Sequence, residues 1–141
     1  MTGERDFLVG KRVTVVGLGI EGVDVARYAA AHGARVKISD SKSPAALADR
    51  VQQLEGLSIE YVLGSAQRSK DVVNSDVVFV SQSVPLNLPA LVEARRRGVP
   101  ISSMTGYFLE HCPGPTLGIT GSSGKPTTTS LVAAILAADG R

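Results

Sequence analysis

The stretch that most constrains the fold runs from Lys11 to Asp40, KRVTVVGLGIEGVDVARYAAAHGARVKISD. Val13-Thr14-Val15-Val16 is a β-branched run with the length of a buried strand. Gly17-Leu18-Gly19-Ile20-Glu21-Gly22 follows at once and fits G-x-G-x-x-G. Val23, Ala26 and Ala30, with Val25 and Ala29, then recur at helical spacing until Gly33. Val36-Lys37-Ile38 reads as a second strand ending at Asp40, 18 residues after Gly22. Strand, glycine turn, helix and strand with a terminal acid together predict a nucleotide-binding unit of an α/β doubly wound, Rossmann-like parallel sheet. Gly17 serves the tight turn, Gly19 lets backbone approach a pyrophosphate, and Gly22 lets the helix pack close to the strand. The helix N-terminus offers N–H groups and a positive dipole to phosphates. Asp40 can accept hydrogen bonds from a ribose or a base. Glu21 puts a negative charge where a pyrophosphate would lie, and is expected to point outward.

The remainder continues the alternation. Ala45 to Leu54 is expected to be a short helix, Ile59-Glu60-Tyr61-Val62-Leu63 a third strand, and 65–74 a loop with a short helical turn. Val77-Val78-Phe79-Val80 is a buried strand whose following loop, Ser81-Gln82-Ser83-Val84-Pro85, should face the same crevice as the glycine turn. Leu88 to Arg97 is a helix, Val99 to Ser102 a short strand, and Thr105 to His111 another helix. Arg95-Arg96-Arg97 sits in a last helical turn, where cations favour dipole and solvent.

Composition closes off several classes. Net charge is +2, aromatics make up 4% and Trp is absent. A nucleic-acid partner is therefore not expected. Cys112 alone excludes an intrachain disulfide framework. No apolar run approaches the ~20 residues of a membrane span, and MTGERDFLVGKR lacks the apolar segment of a signal peptide. The expected location is the cytoplasm. His32 and His111 have no neighbour at metal-ligand spacing.

Cys112-Pro113-Gly114-Pro115 cannot continue a helix or a central strand, which predicts a boundary: a first domain over 1–112 and a second segment over 113–141. The second segment carries its own motif. Thr116-Leu117-Gly118-Ile119-Thr120 reads as a strand, then Gly121-Ser122-Ser123-Gly124-Lys125 and Pro126-Thr127-Thr128-Thr129 lead into an Ala/Leu-rich helix over Ser130–Ala138. This is the order of a P-loop, where backbone N–H groups and a lysine surround the phosphates of ATP. The strict GxxxxGK[ST] spacing is not met, because Ile119 occupies the first glycine position.

Gly118 to Lys125 with its threonine run resembles the ATP loop of the Mur ligases, which add amino acids to the UDP-linked peptidoglycan precursor. With the GLGIEG turn, Asp40 and the Ser81–Pro85 loop, the resemblance is to the branch that adds D-glutamate to UDP-N-acetylmuramoyl-L-alanine. It covers essentially the whole chain, as a first domain plus a truncated start of the central ATP domain. The resemblance implies that the first nucleotide site takes UDP and not NAD. Gly17 and Gly19 would belong to the UDP site, with Ile20, Glu21 and Gly22 at the pyrophosphate; Asp40, Ser41 and Lys42 would serve the uridine end, and Ser83 would line the crevice. Gly121, Ser122, Ser123, Gly124, Lys125, Pro126 and Thr127 would hold ATP, with Lys125 the catalytic cation. In the complete enzyme ATP and Mg²⁺ convert the precursor's carboxylate to an acyl phosphate that the D-glutamate amine attacks.

Three departures from the family pattern stand out. Pro126 replaces the Ser or Thr that donates a hydroxyl to Mg²⁺, leaving Thr127 as the substitute metal contact. Ser81-Gln82-Ser83 replaces Ser-Pro-Gly. The chain also stops at Arg141, so it is expected to be inactive alone. Two other readings stay open on the residues themselves: an NAD-binding oxidoreductase or regulatory domain, and a non-catalytic nucleotide-binding module. The apolar stripe Leu131, Ile135 and Ala138 is expected to dock, to pair with a second copy, or to stay disordered.

Overall fold

The computed structural model describes residues 7–64 and 69–140. The chain divides into two compact units, Met1–Glu110 and His111–Arg141.

The first unit is built on five parallel strands, β1 (Arg12–Val16), β2 (Arg35–Asp40), β3 (Ile59–Leu63), β4 (Val77–Val80) and β5 (Ile101–Ser102), in the order β3-β2-β1-β4-β5. Helix α1 (Ile20–Ala31) joins β1 to β2, and α2 (Ala48–Gln52) lies between β2 and β3. Helix α3 (Ser69–Val73) precedes β4, α4 (Pro89–Arg96) joins β4 to β5, and α5 (Met104–His111) follows. Alternation along the strands sorts their side chains between two cores. Val13, Val15, Val36, Ile38, Val77 and Phe79 pack with Val23, Val25, Ala26 and Ala29 of α1. Val16, Val78 and Val80 pack with Val72 of α3 and Ala90, Leu91 and Ala94 of α4. Helices therefore cover both faces, as the near-continuous β-branched runs of β1 and β4 require. The α/β parallel sheet expected from the sequence is the fold observed.

Strand β1 lies at the centre, registered with β2 (Val15 opposite Ile38) and with β4 (Val15 opposite Phe79). The chain reverses its direction of growth across the sheet there. That topological switch point opens a crevice beyond the strand C-termini. Buried Thr14 sits on the second face and ties β1 to the α3–β4 junction, its Oγ1 lying 2.7 Å from Ser75 Oγ.

The expected helix over Ala45–Leu54 is broken. Ala45–Leu47 forms a 3₁₀ turn, and α2 begins only at Ala48. Leu47, at φ −113°, leaves helical geometry while its side chain is buried. Core burial of one large apolar side chain wins over continuity of two short helical pieces. The helical turn expected within 65–74 is α3; residues 65–68 lie outside the described part.

In the second unit, α6 (Lys125–Ala138) starts five residues earlier than the Ala/Leu-rich run alone suggested. The expected strand over Thr116–Thr120 does not form, and that segment joins no ladder. A strand is stabilised by hydrogen bonds to a neighbour, and this unit offers none. Helix α6 buries none of its residues.

Candidate functional site

The glycine turn is held from three sides by its own protein. Gly17 takes φ +90°, a left-handed conformation that L side chains avoid. Its N–H donates to Ser39 O (2.9 Å), and its carbonyl accepts from buried Ser81 Oγ (2.7 Å). A Cβ on Gly17 would come 2.7 Å from Val84 Cγ2, and one on Gly22 would run into the Gly17 carbonyl oxygen. Gly19 is different: a Cβ there would meet nothing nearer than Ser81 Oγ at 3.9 Å. The first and third glycines are demanded by packing. Around the second, the protein leaves space.

Helix α1 begins at Ile20 with Gly19 as its N-cap, and no side chain caps it. The first N–H groups of a helix lack intrahelical partners, so an uncapped start after a glycine turn is suited to an anion. Asp40 closes the other side. It is 7% exposed, its Oδ2 accepts the Leu18 N–H (2.7 Å), and its Oδ1 accepts the Lys42 N–H (2.8 Å). The carboxylate thus ties the β1–α1 turn to the β2–α2 loop.

Between these loops lies a crevice of about 300 Å³ whose wall includes Gly17, Gly19, Asp40, Ser41, Lys42 and Ser83. Leu18, Val84, Pro85 and Leu88 complete it with apolar surface. Six expected site residues therefore meet at one place. Ile20, Glu21 and Gly22 are not on that wall: Ile20 is 68% exposed, and Glu21 and Gly22 face Ser81 and Met104 instead. Larger hollows of about 870 and 700 Å³ lie beside α2 and at the N-terminal half of β1–β2. Neither touches the glycine turn, and size is a weaker guide than convergent polar groups.

Spacing alone does not single out Ser81, yet it anchors the turn. The one sequence signal is a small hydroxyl directly after a buried strand that adjoins β1. Ser83, where the family pattern has glycine, causes no backbone strain: among the described residues no non-glycine residue has positive φ. The Arg95–Arg97 run is exposed, with Arg96 and Arg97 held by Glu93 at 2.8 and 2.6 Å. This pairing holds the Glu93 carboxyl at about 2. His32 stacks on Tyr28 with ring centroids 3.9 Å apart.

The second unit forms a compact lysine loop. Gly124 takes φ +75°, and Lys125 Nζ donates to Gly121 O at 2.6 Å. Pro126 occupies the second position of α6, where a backbone N–H would have no helical partner anyway. Thr129 Oγ1 donates to Lys125 O at 2.8 Å, while Ser122, Ser123 and Thr127 are exposed.

Comparison with known proteins fits this geometry. Residues 11–103 match the family described as Mur ligase MurD-like, N-terminal domain. A protein of Symbiobacterium thermophilum named UDP-N-acetylmuramoylalanine–D-glutamate ligase is 39% identical over 131 residues, covering 93% of this chain and 29% of that protein. Its namesake in Geotalea uraniireducens is 41% identical over 133 residues, covering 94% and 29%. The chain thus spans less than a third of the length of these relatives. Among solved structures, the UDP-N-acetylmuramate:L-alanyl-γ-D-glutamyl-meso-diaminopimelate ligase of Neisseria meningitidis has a TM-score of 0.58 at 21% identity, over 74% of this chain and 32% of that one. A pseudomurein peptide ligase type C of Methanothermus fervidus has a TM-score of 0.57 at 24% identity, over 93% and 27%. These two likenesses concern the fold. With a central strand, glycine turn and Asp40 tie all inside the matched residues, the chain belongs to the MurD-like Mur ligase family through its N-terminal domain.

Proposed function

We propose that the crevice holds the uridine diphosphate end of UDP-N-acetylmuramoyl-L-alanine, and that the chain is the N-terminal part of an ATP-dependent ligase adding D-glutamate to that precursor. The crevice carries this reading. Asp40 ties two of its loops together through the Leu18 and Lys42 N–H groups and keeps lone pairs free for a ribose or base donor. The walls are apolar at Leu18, Val84 and Leu88 and polar at Ser41, Lys42 and Ser83. A pyrimidine base suits that combination, and the uncapped start of α1 lies beside it for the diphosphate.

The lysine loop fits phosphate: Gly124 permits the turn, and Lys125 supplies a cation at a helix start. In the complete ligase, bound ATP supplies the phosphoryl group that activates the precursor's carboxylate. Lys125 would neutralise charge on that group. Residue 126 does not fit a magnesium contact, since proline has no hydroxyl. Thr127 is the next hydroxyl along α6. Cytoplasmic residence, where a UDP-linked precursor and ATP meet, goes with this reading. Among the described residues no helix is long and apolar enough to cross a membrane.

Isothermal titration of the chain with UDP-N-acetylmuramoyl-L-alanine, UMP and NAD tests the proposal. Saturable heat with the first two and none with NAD is expected. NAD binding without uridine binding would overturn it.

A further inference from the structure

Two residues that look unfavourable for diphosphate binding when read one at a time are bonded to each other. Gln82 Nε2 donates to Glu21 Oε1 at 2.9 Å, across 61 positions of sequence. Glu21 lies in the first turn of α1, where a carboxylate is drawn to the same positive helix end that would receive a phosphate. Gln82 stands where the family pattern has proline, a residue with no side-chain donor to offer. The bond also has a direction. The crevice wall runs through Gly17, Gly19, Asp40 and Ser83, whereas Glu21 faces Ser81 and Met104, and Gln82 lines the hollow toward Ile101 and Ser102. Glu21 and Gln82 therefore both stand off the crevice wall, and their bond turns the Glu21 carboxylate toward the loop that follows β4.

We infer that Gln82 is a positioning residue for the diphosphate, holding the Glu21 carboxylate on the β4 side of the glycine turn and so keeping a negative charge off the anion-binding N–H groups of α1. This rests on the crevice being a uridine diphosphate site, and it goes beyond that reading by giving a role to two residues outside the crevice wall. Without Gln82, the Glu21 side chain regains rotamers that swing it over the helix start, where it repels a phosphate through partly screened solvent. The neutral uridine end is not affected by that charge.

The test is a double-mutant cycle on the chain of 141 residues: wild type, Gln82→Ala, Glu21→Gln, and both together. Affinities for UDP and for uridine are measured by NMR titration. Gln82→Ala should weaken UDP by about three- to tenfold, the effect of a partly screened like charge nearby, and leave uridine unchanged. In the Glu21→Gln background the same change should have no effect on UDP. Equal weakening with and without the Glu21 carboxylate would overturn the inference, as would a parallel loss of uridine affinity. Inorganic pyrophosphate, followed at the amides of Gly19 to Gly22, runs the same cycle without a uridine. If uridine and UDP fail to bind the wild type, the uridine site is refuted while the pyrophosphate cycle still decides the role of Gln82. Failure of pyrophosphate to perturb those amides refutes that role as well.

Discussion

The backbone N–H of Leu18 donates to Oδ2 of Asp40 at 2.7 Å, and this bond fixes the distance between the first two loops of the sheet edge. Leu18 is the residue between the first two glycines of the turn, so the acid reaches back 22 positions to the glycine turn itself. The Lys42 N–H on the other carboxylate oxygen extends the tie into the loop after β2.

Asp40→Ala should therefore cost stability as well as affinity. It leaves the buried Leu18 N–H and the part-buried Lys42 N–H without acceptors, and an unsatisfied buried donor costs about 1–3 kcal/mol. Urea unfolding should register a loss in that range, and UMP affinity should fall with it. Asp40→Asn keeps one acceptor but turns an NH₂ toward the other N–H, so it should fall between the two. A variant with wild-type stability and weakened UMP binding would mean that Asp40 acts on the ligand directly.

The three glycines of the turn should separate by experiment. Gly22→Ala drives a Cβ into the Gly17 carbonyl, a backbone atom that cannot yield. It should lose more than about 2 kcal/mol or fail to fold. Gly19→Ala meets only open space at φ −78° and should stay within about 0.5 kcal/mol of wild type. Its methyl would enter the open space where we propose the diphosphate, so UDP affinity should drop while uridine affinity holds. Unchanged UDP binding in Gly19→Ala would place the diphosphate elsewhere.

Acid should strip a contribution from α4. Glu93 accepts from Arg96 and Arg97, which lowers its pKa from 4.5 to about 2. Between those two values the unfolded chain binds a proton that the folded chain does not. The stabilisation is thus complete above about pH 4.5 and vanishes as pH falls toward 2. Glu93 is half-buried but its arginine partners are exposed, so the effect should be small and screened by salt. Urea midpoints of wild type and Glu93→Gln should differ at pH 6 and converge near pH 2. A difference that persists at the acid end would assign it to something other than the charge.

Much of this architecture is legible in the residues because burial on both faces leaves a simple mark. Val13–Val16 and Val77–Val80 are β-branched or aromatic throughout, and such runs fit no amphipathic helix. The glycine turn is equally readable, since Gly17 and Gly22 meet steric demands that one substitution would violate. Two kinds of feature stay hidden. Leu47 breaks a helix to reach the core, a tertiary preference that local spacing does not encode. Ser81 and Gln82 act on Gly17 and Glu21 from more than sixty positions away, and only the pairing of β1 with β4 brings them together. The missing strand at Thr116–Thr120 has a related cause. Its residues have strand character, but a strand exists only as part of a ladder.

The last expectation concerns α6. It spans 14 residues and buries none of them, with Leu131 and Ile135 at 61% and 59% exposure. Helices of about 12–15 residues are marginal in water without tertiary packing, because nucleation is costly and few bonds follow. Each large apolar side chain left in water also forgoes about 1.5–3 kcal/mol that burial would contribute. Gly124 at the N-cap brings no side-chain acceptor, and the last turn carries no cation, so neither end adds compensation. Amide hydrogen exchange on the 141-residue chain should therefore find 128–138 close to unprotected, against strong protection at β1 and β4. A longer chain of the same family that continues past α6 should protect it, because its apolar stripe would then have a partner. Protection that grows with protein concentration would instead mean that α6 pairs with a second copy. Strong protection in a dilute monomer would show that the helix finds its burial within these residues, and the expectation would fail.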